Sequence, residues 1–202
     1  AFQRCESGVT MPRIQTPDLA SHRDWRRNQL IEAAASIALE SGGAAISVAA
    51  VAQRAGLSRT SVYEYFGSSS ELVADLVIDE LKSFATTLNT AVSQCADAQC
   101  TVTCWIKGAL TYIADGRHLL AKALNATAMP QSRSQQIGIA HRALMAPLVK
   151  AVEELGVGDS QRALLFIQAI TDASTKRIES GHDAEGEIAY ATSFCINGLI
   201  VN

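Results

Sequence analysis

The stretch SVAAVAQRAGLSRTSVYEYFGSSSEL, from Ser47 to Leu72, decides the fold. Ser47 is a good N-cap, and Val48, Val51, Ala52 and Ala55 recur at i, i+3, i+4 and i+7. That spacing predicts a short helix with a single apolar face, ended by Gly56. Only Leu57 separates this glycine from Ser58, a second cap residue, and Leu57 at N′ is placed to staple against Val62 at N4. A second helix is therefore expected over 59–66. Gly67 breaks the pattern, and Ser68 with Glu71 three residues on is a capping-box signature ahead of Leu72, Val73, Leu76, Val77, Leu81, Phe84 and Leu88. Two short capped helices joined by a tight glycine turn form a helix-turn-helix.

The second of these helices has one narrow apolar stripe, Val62 and Phe66 at i and i+4. The rest of its arc presents Thr60, Ser61, Tyr63 and Glu64, with Arg59 and Tyr65 at the margins. A short helix anchored by one stripe and polar elsewhere suits a major groove about 12 Å wide. Hydroxyls there bond phosphates or base edges, and arginine reads guanine bidentately. Glu64 opposes the stripe, where a carboxylate repels phosphate, and reads as a solvated rim position.

Outward from this core, helical periodicity extends over the whole chain. Upstream, Leu30, Ile31, Ala34, Ile37 and Ala38 mark a helix from Arg23 to Ser41, stopped by Gly42 and Gly43. Downstream, helices are expected near 101–114, 118–128, 135–155 (kinked at Pro147), 160–180 and from Asp183 to the end. With 33 alanines and only 5% aromatics among 202 residues, the expectation is an all-α protein of about nine helices. Residues 1–20, carrying Pro12 and Pro17, read as a flexible arm; Met11 followed by Pro12 reads as a start, so 1–10 are left out of the fold expectation.

Composition narrows the function classes. At 48% hydrophobic and 18% charged, with a net charge of -3, the chain is neither disordered nor coated with basic residues. No apolar run matches a membrane span or signal sequence, and five cysteines, an odd number, suggest reduced thiols, so a cytoplasmic protein with no membrane partner is expected. Cys100 and Cys104 are i, i+4 neighbours with Cys95 just before them. Zinc sites usually draw four ligands from paired Cys and His units and no histidine is close in sequence, so these cysteines are expected to be small apolar core residues and no metal or cofactor is assigned. No nucleophile-base set, HExxH, phosphate loop or dinucleotide fingerprint appears in a supporting context, so no catalytic residue is assigned and no enzyme is expected.

The ordered set Leu30, Ile31, Ala33, Ala34, Gly42, Ser47, Val51, Ala52, Ala55, Gly56, Ser58, Val62, Tyr63, Tyr65, Phe66, Ser68, Glu71 and Leu72 resembles the DNA-binding domain of TetR-type transcriptional regulators. The resemblance spans about residues 23–77. It implies a helix-turn-helix domain over 21–70 and a ligand-binding and dimerisation domain over 71–202. It further implies a homodimer, operator DNA as partner and an unknown small-molecule effector, most simply a repressor released from a palindromic operator. DNA contacts are then expected from Arg27, Ser47, Ser58, Arg59, Thr60, Ser61, Tyr63, Tyr65 and Ser69. Ser69 departs from the lysine usual in the family there, which removes one phosphate contact. Effector contacts are expected from Trp105, Leu110, Tyr112, Leu124, Asn125, His141, Met145 and Gln168 on the middle helices. Dimerisation is expected through a face of the last two helices that includes Leu164, Leu165, Ile167, Ala169, Phe194, Gly198 and Leu199. The alternative is a dimeric small-molecule-binding helical protein of the same fold without DNA-binding activity.

Overall fold

Nine α-helices build the chain in the computed structural model, which describes residues 19–124 and 130–200, and there is no strand among them. In chain order they are α1 (Leu19–Ser41), α2 (Val48–Ala55), α3 (Arg59–Tyr63), α4 (Ser69–Val92), α5 (Ala98–Ala114), α6 (Leu119–Leu124), α7 (Ser134–Glu154), α8 (Ser160–Glu179) and α9 (Ala184–Ile200). The all-α expectation holds.

The helix boundaries follow the local chemistry, with four corrections. First, α1 begins at Leu19, so the expected arm loses its last two residues to the helix; residues 1–18 lie outside the described residues. Second, α3 ends at Tyr63 rather than Phe66: the Tyr65 and Phe66 N–H groups both donate to the Val62 carbonyl, a tightening that leaves Phe66 buried beside Val62. Third, α5 starts three residues before Thr101 because Asp97 caps it, its carboxylate accepting from the Cys100 N–H at 2.7 Å. Fourth, Glu71 turns back to the N–H of Gly67 (3.0 Å), one residue short of the capping-box position, while Ser68 caps the Glu71 N–H as expected. The second half of the expected 118–128 helix falls on 125–129, outside the described residues. α7 runs on through Pro147.

The turn between α2 and α3 is where glycine is required. Gly56 adopts φ 66 and ψ 31, the left-handed region, and the N–H groups of Gly56 and Leu57 close back onto Gln53 and Ala52.

Two apolar cores result. The first gathers Leu30, Ala34 and Ile37 of α1, Val51 of α2, Val62 and Phe66 around α3, Leu72, Val73 and Leu76 of α4, and Leu124 of α6. The second gathers Leu88 of α4, Val102, Trp105, Ile106 and Leu110 of α5, Leu144 and Leu148 of α7, and Ile167 and Cys195 of α8 and α9. Helix α4 contributes to both and packs on α1, α5 and α7. Between them the buried carboxylate of Asp75 on α4 takes Arg27 of α1 (2.5 Å) and Arg133, which lies in the single 3-10 turn ahead of α7.

Gly56→Ala meets no atom within 4 Å, so its cost is purely conformational, about 1 kcal/mol in chemical denaturation. Asp75→Asn leaves two guanidinium groups without their counter-ion. A loss of about 2 kcal/mol is expected, below that of a fully buried pair because the arginine side chains keep 36% and 26% of their exposure, and Arg27→Ala should cost less than Asp75→Asn.

Candidate nucleic-acid interface

The serines that punctuate the Ser47–Leu72 stretch act as helix caps. Ser47 Oγ accepts from the Ala50 N–H at 3.2 Å, and Ser58 Oγ accepts from the Ser61 N–H at 3.1 Å while pairing with Ser61 Oγ at 2.9 Å. Each hydroxyl sits at the N-terminal end of its helix, where unsatisfied backbone N–H groups favour an anion. With Val62 and Phe66 fixed in the core, the opposite side of α3 is open: Ser58, Arg59, Thr60, Tyr63 and Glu64 are exposed, Tyr63 at 57%. Arg59 makes no ion pair among the described residues. Tyr65 is half-buried with the Arg23 guanidinium 6.0 Å from its ring centroid, and Ser69 is half-buried in the first turn of α4.

Arg27 is placed differently from the expectation. Its guanidinium lies 5.7 Å from the Phe66 ring centroid and is bound to Asp75, so it ties α1 to α4. The signal for this was an acid on an apolar face: Asp75 falls at i+3 from Leu72 and immediately before Leu76. Arg54 at the end of α2 is likewise engaged, with both terminal nitrogens on Glu40 (2.8 and 2.6 Å) and one on Ser36. The Arg54 guanidinium, with Ser36, holds the Glu40 carboxyl down at about 2.

In the second half, α4, α5, α7 and α8 surround a cavity of about 150 Å³. Trp105, Leu110, Met145 and Gln168 line it with Ile113 and Leu148, together with Phe84, Thr171, Asp172 and Thr175, which the sequence does not single out. Trp105 Nε1 is satisfied by the Leu144 carbonyl at 3.3 Å. The other expected effector residues are elsewhere. Tyr112 donates to the Glu80 carboxylate, stacks on Phe84 at 4.3 Å and lies under Arg117; burial, then Glu80, pushes its phenol up to about 12. Leu124 belongs to the first core, His141 is exposed on α7, and Asn125 lies outside the described residues. On α8 and α9, Leu165, Phe166, Tyr190 and Phe194 are exposed at 56–71%; Phe166 and Phe194 border a groove of about 710 Å³, whereas Ile167 is buried in the second core.

Residues 30–76 match the family model of bacterial regulatory proteins, tetR family. This helix-turn-helix segment belongs to the tetR family. Solved structures extend the likeness in fold to both halves of the chain. A TetR-like transcriptional regulator from Rhodococcus sp. RHA1 shares 21% identity over 88% of this chain and 97% of its own, with a TM-score of 0.68. A second Rhodococcus regulatory protein of the tetR family is 15% identical over 86% and 96%, TM-score 0.70. The fatty acid degradation regulator FadR from Bacillus halodurans is 17% identical over 87% and 96%, TM-score 0.68. Among curated proteins none matches the chain. The tetR-family segment holds the first core apart from Leu124, and every capped turn of the Ser47–Leu72 stretch. Among the described residues no helix is long and apolar enough to cross a membrane.

The Glu40 carboxyl is expected to remain ionised at about pH 3, where an ordinary glutamate is protonated, and Arg54→Ala should return it to the usual range in a carbon-13 NMR titration. Its folded value is depressed, so the stabilisation is complete above the unfolded value of about 4.3 and fades as pH falls toward 2.

Proposed function

We propose that the chain is a dimeric transcriptional repressor whose two α3 helices read half-sites of a palindromic operator and are released by a small-molecule effector. The observation that carries this reading is α3 itself: two buried anchors, Val62 and Phe66, and a hydroxyl-rich outer face with Arg59 at its N-terminal end. Arg59, Thr60, Ser61 and Tyr63 make base and backbone contacts, while Ser47, Ser58, Tyr65 and Ser69 face phosphate. Residues 1–70 hold seven arginines against six acids, a net of +1, and two of those arginines are bound to carboxylates. Affinity therefore rests on hydrogen bonds, helix N-termini and dimer symmetry more than on bulk charge.

Residues 21–70 serve as the reading domain and 71–202 as the sensing and dimerising domain. The exposed apolar side chains of α8 and α9 supply a self-complementary face for a second copy, completing a four-helix contact. The effector enters the cavity beside Trp105, Leu110, Met145 and Gln168; at about 150 Å³ that cavity must widen to hold a ligand of ordinary size. Widening bears on α4 and α7, which meet the reading domain at Asp75, and on α8, whose Glu179 holds Lys122 (2.8 Å) and His118 (2.8 Å) beside α6.

Gel shifts on the DNA upstream of the chain's own gene, at several salt concentrations, test the reading. Arg59→Ala and Tyr63→Ala should each weaken binding, Arg59→Ala by about 1–3 kcal/mol, or roughly ten- to a hundred-fold in Kd, with the dimer intact in sedimentation. A chain that binds small molecules and dimerises yet shows no sequence-specific shift would be the ligand-binding protein without DNA-binding activity instead.

A further inference from the structure

The cysteines expected in the core are not there. Cys95, in the loop after α4, and Cys100 and Cys104, on the first two turns of α5, are all half-buried, and their three sulfurs lie within 4.8 Å of one another. The Sγ atoms of Cys100 and Cys104 are 3.9 Å apart and those of Cys95 and Cys100 are 2.8 Å apart. Sulfurs that share one ion at about 2.3 Å sit roughly 3.3–4.0 Å apart for bond angles between a right angle and 120°. The helical pair already meets this separation. Cys95 lies outside any helix; its sulfur has to move back from that of Cys100 by about half an ångström and lies within 4.8 Å of that of Cys104.

We infer that Cys95, Cys100 and Cys104 form a binding site for a trivalent, thiophilic metalloid, of which arsenic(III) as its hydroxide is the representative. The donor set is sulfur alone, with no histidine or carboxylate in the group, which selects a soft ion. Three thiolates bring three negative charges, and from Ser93 to Cys104 the only ionisable group besides the thiols is Asp97, an acid already capping the helix. A monovalent ion would leave the half-buried group at -2 and a divalent one at -1, and net charge is costly there. A trivalent ion leaves it neutral. It also needs no fourth ligand, whereas a structural zinc draws four from the protein and this group offers three. The reaction balances without an oxidant: three arsenic–oxygen bonds are replaced by three arsenic–sulfur bonds, and each departing hydroxide takes one thiol proton away as water. Bound there, the ion would fasten the chain leaving α4 to the first turns of α5, at the end of α4 remote from the helix-turn-helix.

The test is anaerobic titration of the reduced full chain with arsenite, read by native mass, near-ultraviolet sulfur-to-arsenic absorption and the count of free thiols. One arsenic per chain and the loss of three of the five thiols are expected. Cys95→Ser, Cys100→Ser and Cys104→Ser should each abolish the three-thiol adduct, while Cys195→Ser, in the second core, retains it. Cys95→Ser, in a loop, is the variant that leaves the helices untouched, and unchanged far-ultraviolet dichroism and melting verify the fold of all three. Failure of the reduced chain to take up arsenite would overturn the assignment, as would uptake indifferent to these substitutions. Zinc(II) held by the same three thiols with arsenite refused would overturn it as well.

Discussion

The orientation of the helix-turn-helix on the rest of the chain depends on one buried carboxylate. Asp75 lies on the inner face of α4, among residues that are otherwise apolar, and is tolerable there only because Arg27 and Arg133 reach it from α1 and from the turn ahead of α7. Ionic contacts of this kind fix geometry more than they stabilise, because desolvation offsets much of the attraction. A methyl group slides over its neighbours with little change in energy. A carboxylate held by two guanidinium groups has a narrow set of acceptable positions. Two otherwise separate apolar cores thereby acquire a defined relation, reinforced by α4 running through both and by Leu124 of α6 inserted into the first.

What could be read from sequence alone divides along the range of the interactions. Ser47, Gly56, Ser58 and Ser68 were legible because capping and left-handed turns are decided within four residues, and they are enough to establish the helix-turn-helix. The polar arc of α3 was legible for the same reason, once Val62 and Phe66 were taken as its anchors. Arg27 was not, since its orientation is decided by a partner 48 residues away. The cavity walls were legible in part: Trp105, Leu110, Met145 and Gln168 line the cavity, but Tyr112, two turns from Trp105 on the same helix, faces Glu80 and Phe84 while Trp105 faces α7. The cysteines mark an intermediate case. Spacing of i, i+4 announces that Cys100 and Cys104 share a face, but the cap at Asp97 that starts α5 early, and brings Cys100 opposite Cys95, lies ahead of the helix that periodicity predicts from Thr101.

Two apolar depressions of the second half differ in a way that bears on the roles proposed for them. The larger, of about 710 Å³, lies on the outer face of α8 and α9 and is bordered by Phe166 and Phe194, both more than half exposed. Large aromatic side chains left in water are a liability for a chain acting alone and a resource for one that self-associates. The smaller, of about 150 Å³, is walled by four helices and has an apolar floor with Gln168, Asp172 and Thr175 among its polar groups. A few polar groups on an apolar wall can orient a ligand. At about 150 Å³ the cavity is smaller than the several hundred cubic ångströms of an ordinary ligand site.

For the effector response proposed above, that small volume supplies the energetic logic of a switch. A ligand shifts an equilibrium only by its differential affinity for the two states, so a preformed cavity filled without movement would leave the reading heads where they were. A cavity that has to widen does otherwise: one of its walls, α4, α5, α7 or α8, has to move, and three of these carry ionic ties. α4 and the turn before α7 are tied at Asp75 with Arg27 of α1. α8 is tied to α6, whose Leu124 sits in the first core, through Glu179, whose carboxyl is held below the usual range chiefly by Lys122. Rigid ionic ties transmit such a displacement where a soft apolar contact would absorb it. Coupling of this kind is reciprocal, so in the dimer proposed above whatever holds the two α3 helices at the spacing of DNA would also resist the opening of the cavity.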